Sequence, residues 1–159
     1  MLPGDRLVCA FMEPHAVGFR FERWLLHVTV VPWFRLDEAS EVIASGLQKA
    51  LHDIKPFEVA LVERAMFGPR KNRPALLIGR PTPFDDIEPK VRGYLHKKRA
   101  WLVDETTKRP RQFRPHVTLQ KDSALAIGES FKVHTLYIVE QKDDYKEIRE
   151  EIRLRGPSS

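Results

Sequence analysis

His27-Val28-Thr29-Val30 returns almost unchanged as His116-Val117-Thr118-Leu119, 116 − 27 = 89 residues further along a chain of 159. At ordinary residue usage a histidine is followed by Val-Thr-aliphatic about once in a thousand times. Two such runs among six histidines are therefore roughly a one-in-10⁵ accident. Read as strands, both copies sort their side chains the same way. Successive residues point to opposite faces, so histidine and threonine share one face while valine and the closing aliphatic share the other. The apolar pair can enter a core. The polar pair places an imidazole that moves protons near neutral pH beside a hydroxyl that donates to an anionic oxygen. Two such units together supply an acid, a base and two donors. In-line displacement at a phosphodiester needs one histidine to take a proton from the attacking oxygen, one to protonate the leaving oxygen, and donors for the non-bridging oxygens.

Outward from the motifs, residues 6–13 read as a buried strand. Trp24-Leu25-Leu26 leads into the first motif, and Pro32 is expected to close that run. Asp37 is a good helix N-cap, and Ala39, Val42, Ile43, Gly46, Leu47, Ala50, Leu51 and Ile54 hold a helical stripe. Residues 57–67 and 75–79 read as strands around the turn 68–74. Ile87, Val91, Tyr94, Leu95 and Leu102 mark a second helix, in which Pro89 fits only the first turn. The second motif follows a polar, basic loop. Residues 131–140 and 145–155 read as strands, the latter at an edge, and 155–159 as a frayed tail. The resulting fold class is α+β. We expect a single bilobal domain over 1–159: two pseudo-symmetric lobes, antiparallel sheets facing a central cleft, helices packed outside.

Composition bounds the function. The chain is 42% hydrophobic and 31% charged, as a soluble domain should be. No apolar run approaches the roughly 20 residues that span a bilayer, and the N-terminus lacks a basic-then-apolar leader. The one cysteine, Cys9, excludes an internal disulfide and sits in an apolar run. These features give a cytoplasmic expectation with no membrane partner. The net charge of +5 raises the odds of a polyanionic partner. The basic cluster Lys108, Arg109, Arg111, Arg114 runs directly into the second motif, where Arg114, His116, Thr118 and Gln120 share a face. Trp33, Phe34 and Phe67 are the aromatic candidates for stacking a base. No histidine pair has metal-ligand spacing, so neither metal nor cofactor is expected. His134 is read as structural.

Two such motifs about ninety residues apart in a basic chain of this size, with Arg-Pro before the second, resemble the two-histidine (2H) phosphoesterase superfamily. Within it the chain resembles the 2′-5′ RNA ligase, or RNA 2′,3′-cyclic phosphodiesterase, group. The resemblance implies a bilobal, metal-independent enzyme. His27 and His116 would transfer protons and Thr29 and Thr118 would hold the phosphate. His27 would protonate the leaving 3′ oxygen, His116 would activate water, and the product would be a 2′-phosphate. Relatives often carry an arginine shortly after the second motif, where this chain has Gln120-Lys121. Arg114 is thus the better placed cation, with Lys121, Phe67 and Trp33 as further substrate contacts. The expected partners are RNA ends or nucleotides bearing a cyclic phosphate, bound by a monomer with no DNA sequence specificity. A binding module without turnover, hydrolysis of 2′-5′ linked oligonucleotides, and reversible 2′-5′ ligation through the same residues remain open alternatives.

Overall fold

The computed structural model describes residues 1–106, 112–120 and 124–157. The strands are β1 (Arg6–Phe11), β2 (Arg20–Phe21), β3 (His27–Arg35), β4 (Phe57–Phe67), β5 (Arg73–Ile78), β6 (Trp101–Leu102), β7 (His116–Thr118), β8 (Ser130–Val133), β9 (Thr135–Gln141) and β10 (Lys146–Arg153). Helix α1 (Ser40–Ala50) follows β3, and α2 (Phe84–Lys97) follows β5. A short 3₁₀ turn spans Val103–Glu105.

All pairings are antiparallel, and the strand order is β2-β10-β9-β1-β3-β7-β5-β4-β8, with β6 on the end of β3. The two expected lobes are the two halves of one curled sheet, joined where β3 pairs with β7. Alternation along the strands builds a core on each face. On one face Val8, Ala10, Val28, Val30 and Leu76 pack with Ile43, Leu47, Ile87, Val91 and Leu95 of the helices. The other face carries a smaller cluster of Leu7, Cys9, Phe11, Phe21, Tyr137, Val139 and Ile148, with Trp24, Leu25 and Trp33 against it. Both helices thus lie on one side, and the histidines and threonines of the motifs point to the other.

Several local expectations are corrected. Pro32 does not end the first motif strand. Val8 pairs with Val31 and Arg6 with Phe34, so two steps on β1 oppose three on β3. This bulge absorbs the proline, which has no N–H to give the ladder. It also turns Val31 and Phe34 into the helix-side core, so Phe34, fully buried, is no stacking surface. Trp24-Leu25-Leu26 precede β3 rather than belonging to it. Helix α1 begins at Ser40, after Ala39 and not Asp37, and Val42 faces solvent. Pro89 lies inside α2, where burial of Phe84, Ile87, Val91 and Leu95 outweighs the lost hydrogen bond. Leu102 belongs to β6, not to that helix. The strand expected over 131–140 is two: β8 pairs with β4 and β9 with β1 and β10, so the chain changes lobe at His134. Gly156 N–H donates to the Ile54 carbonyl at 2.9 Å, tying back part of the expected tail. Ser158 and Ser159 lie outside the described residues.

Where α1 crosses α2, a Cβ on Gly46 would overlap Cε2, Cζ and Oη of Tyr94. We expect Gly46→Ala to destabilise the protein by about 1–3 kcal/mol through overpacking, read as a lowered urea midpoint. Adding Tyr94→Ala should recover more than the two single effects predict. Additive losses would show that the crossing does not depend on this contact.

Candidate functional site

The two motifs meet in a single strand pair. Val28 lies opposite Val117 in the antiparallel β3–β7 register, and both valines are fully buried. That register sets His27 opposite Thr118 and Thr29 opposite His116, all four pointing away from the valines. Directly opposed side chains have Cβ atoms about 4.5–5.5 Å apart and diagonal ones about 7–8 Å. The histidines therefore take one diagonal of a small square and the threonines the other. A slip of one residue on either strand would turn one polar pair into the core, which the buried valines prevent.

Each imidazole is held the same way. His27 Nδ1 donates to the Leu25 carbonyl at 2.6 Å, and His116 Nδ1 to the Arg114 carbonyl at 2.7 Å. A carbonyl only accepts, so the proton sits on Nδ1 and the Nε2 of each neutral ring is an acceptor. Each ring also lies on an aromatic seat. Trp24 stacks on His27 with centroids 4.3 Å apart and planes at 28°. Phe67 stacks on His116 at 3.9 Å and 15°. A cation stands by each seat, Lys146 Nζ at 5.2 Å from the Trp24 ring and Arg114 Cζ at 5.0 Å from the Phe67 ring. The fold thus builds cation, aromatic and imidazole twice, once per lobe. Burial pushes His27 down from 6.5 to about 4, the Leu25 carbonyl partly opposing this and nearby His116 adding to it.

The remaining predicted residues scatter. Arg114 is exposed and lines a cavity of about 310 Å³ together with Thr29, Phe67, His116 and others. Phe67 is occupied by His116, so its position suits holding the imidazole rather than stacking a base. Trp33 lies against the Leu25 and Trp24 side of the second core, 6.1 Å from the Trp24 ring, and is not among the cavity-lining residues. Lys121, Lys108, Arg109 and Arg111 lie outside the described residues. Gln120 donates from its amide to the Trp24 carbonyl, linking the end of the second motif to the seat of the first. His134 contacts its neighbour Thr135 Oγ1 at 2.9 Å, away from the site. Among the described residues no three of His, Cys, Asp and Glu converge as metal ligands. No helix among them is long and apolar enough to cross a membrane.

Sequence reasoning missed Trp24 and the cavity residues of α2. Trp24, three residues before His27, has a readable position, but its role depends on the bend before β3. Glu88, Arg92, Asp104 and Phe113 also line the cavity. Nothing in their spacing points to the motifs.

The model of the 2′-5′ RNA ligase superfamily matches residues 13–152. No curated protein matches the sequence. Among solved structures, E. coli LigT complexed with 3′-AMP is similar to this chain with a TM-score of 0.61 at 14% identity, over 96% of this chain and 99% of that one. The NADP+ complex of E. coli LigT gives 0.64 at 14% identity, over 98% and 99%. TT0787 of Thermus thermophilus gives 0.59 at 17% identity, over 97% and 100%. At such identities the structural likeness is one of fold.

Proposed function

The chain belongs to the 2′-5′ RNA ligase superfamily and is a phosphoesterase of the two-histidine type, and on that premise we propose that it hydrolyses 2′,3′-cyclic phosphates, on RNA ends or nucleotides, to 2′-phosphates. The observation that carries this reading is the square of His27, Thr29, His116 and Thr118 on one strand pair, with each Nδ1 spent on a carbonyl. Both Nε2 atoms then address one phosphate. Water attacks phosphorus as His116 Nε2 takes its proton. The bond to the 3′ oxygen breaks as His27 Nε2 protonates that oxygen. Thr29 and Thr118 hydroxyls donate to the non-bridging oxygens as charge gathers there. A binding module without turnover would have no use for two imidazoles anchored in the same tautomer, and this favours the enzyme.

His27 is neutral at pH 7 in the free site, whereas its role requires a proton. An anionic phosphate against the ring opposes the desolvation that lowers its pKa, so proton and substrate bind together. Complexes of E. coli LigT with 3′-AMP, ATP and NADP+ exist, and a nucleotide phosphate set against the two imidazoles here fits this demand.

The test is hydrolysis of 2′,3′-cyclic nucleotides followed by phosphorus NMR, with and without chelator. The expected product is the 2′-phosphate at equal rates in both. A 3′-phosphate product would reverse the assigned leaving oxygen, and loss of activity with chelator would contradict catalysis by two imidazoles alone.

A further inference from the structure

Strands β3 and β7 share the Val28–Val117 bridge and then part. Beside that gap the 310 Å³ cavity runs from Thr29 and His116 on the sheet to Glu88 and Arg92 on α2. Its two ends differ in the side chains they present. Arg114 stands by His116 at the mouth. At the far end Arg92 Nε donates to Glu88 Oε1 at 2.7 Å, Nη1 and Nη2 to the two oxygens of Asp104 at 3.0 and 2.8 Å, and Nη1 also to Glu105 Oε2 at 2.7 Å. Glu88 and Asp104 thus set carboxylate oxygens at that end of the cavity. Glu88 Oε2 accepts no hydrogen bond among the described residues. Val30, Pro32, Phe67 and Phe113 make the walls apolar.

A small molecule filling this cavity should be anionic at the mouth, apolar and flat in the middle, and a hydrogen-bond donor at the far end. We infer that the cavity is the base-binding subsite and that Glu88 selects bases carrying an exocyclic amine, guanine foremost, over uracil. Guanine presents N1–H and its amine side by side, a match for a carboxylate. Uracil sets two carbonyl oxygens around a single N–H and would point one of them at an acceptor. A site built to receive hydrogen bonds rejects a ligand that cannot give them. The inference rests on the phosphodiesterase reading, since it takes the phosphate to sit at the histidines.

The four 2′,3′-cyclic mononucleotides, compared by kcat/KM, test it. The guanosine substrate should exceed the uridine one by about tenfold or more. The substitution E88Q should bring that ratio to one or below, because an amide donor welcomes the uracil carbonyl. A ratio within one preparation is insensitive to the fraction of folded protein. Calorimetric binding of 2′-GMP and 2′-UMP reads the same preference without turnover. If no cyclic nucleotide is hydrolysed but 2′-GMP is preferred and E88Q abolishes the preference, the subsite stands and the proposed reaction fails. Equal rates and affinities for the two bases, or a preference that E88Q leaves unchanged, would overturn the subsite. The carboxylates would then serve only to fasten α2 to the turn at Val103–Glu105.

Discussion

Replacing His27 or His116 by alanine is expected to lower kcat on a 2′,3′-cyclic nucleotide by about 10²–10⁴ each, the usual contribution of a positioned proton-transfer group. The two rings occupy one diagonal of a four-residue square and serve the same displacement. The double substitution should therefore cost little more than the worse single one, because groups acting as a unit are not additive. Neither ring supports the helix-side core, which is held by Val28 and Val117, so circular dichroism and the urea midpoint should show folded protein in each case. Scheme and geometry also demand a bell-shaped pH profile, with one imidazole neutral and the other charged. Either single substitution should remove one limb. A variant that keeps full activity, or a bell that survives both substitutions, would end the acid–base assignment.

Stability should fall with pH through the range in which only the unfolded chain protonates His27. Burial holds the folded ring at about 4 against an ordinary 6.5. The unfolded state therefore binds the extra proton as pH drops below 6.5, and stability declines in that direction. The contribution is fully present above 6.5 and gone by about 4. At 1.36 kcal/mol per tenfold change in proton affinity, its ceiling is about 3 kcal/mol. Carboxylates titrate nearby. Those of Asp5 and Asp85 are pulled down by Arg35 and Arg80 against an opposing desolvation, so their loss comes at still lower pH. The informative quantity is the difference between the parent protein and His27→Phe, measured by urea unfolding at about pH 7 and pH 4.5. The parent should lose more over this interval. Inorganic phosphate, by favouring the charged ring, should shrink the gap. Equal losses in the two proteins would show that His27 titrates normally in the fold.

The motif residues were legible because two departures from strand patterning coincide: a polar pair where alternation alone would allow anything, repeated at a distance no local structure explains. The α+β class followed from the helical stripes around Ile43-Leu47 and Ile87-Val91. What sequence could not give was adjacency. Nothing in His27–Val30 or His116–Leu119 says that their valines face each other across a ladder rather than across a cleft, since pairing is decided by the whole strand order. The aromatic seats were hidden for the same reason. Phe67 read as a stacking surface for a base, yet β5 and β7 bring His116 onto it. Pro32 and Pro89 misled through local rules that tertiary burial overrode, by a bulge in one case and by a packed stripe in the other. Glu88 and Arg92 have the spacing of an ordinary i, i+4 surface pair, and only the packing of α2 puts them at the cavity.

The step from β8 to β9 at His134 has a consequence for how the protein comes into being. The first half of the sheet contains β1 and β3 together with β9 and β10, while β4, β5, β7 and β8, between them in sequence, build the other half. During synthesis β1, which pairs with the first motif's strand, therefore lacks its β9 neighbour until Thr135–Gln141 has emerged. Such non-local closure favours slow, all-or-none folding. A chain that stops short of β9 has both histidines but no completed sheet to hold the first of them. The first motif's half of the sheet is thereby completed only after β9 has been made.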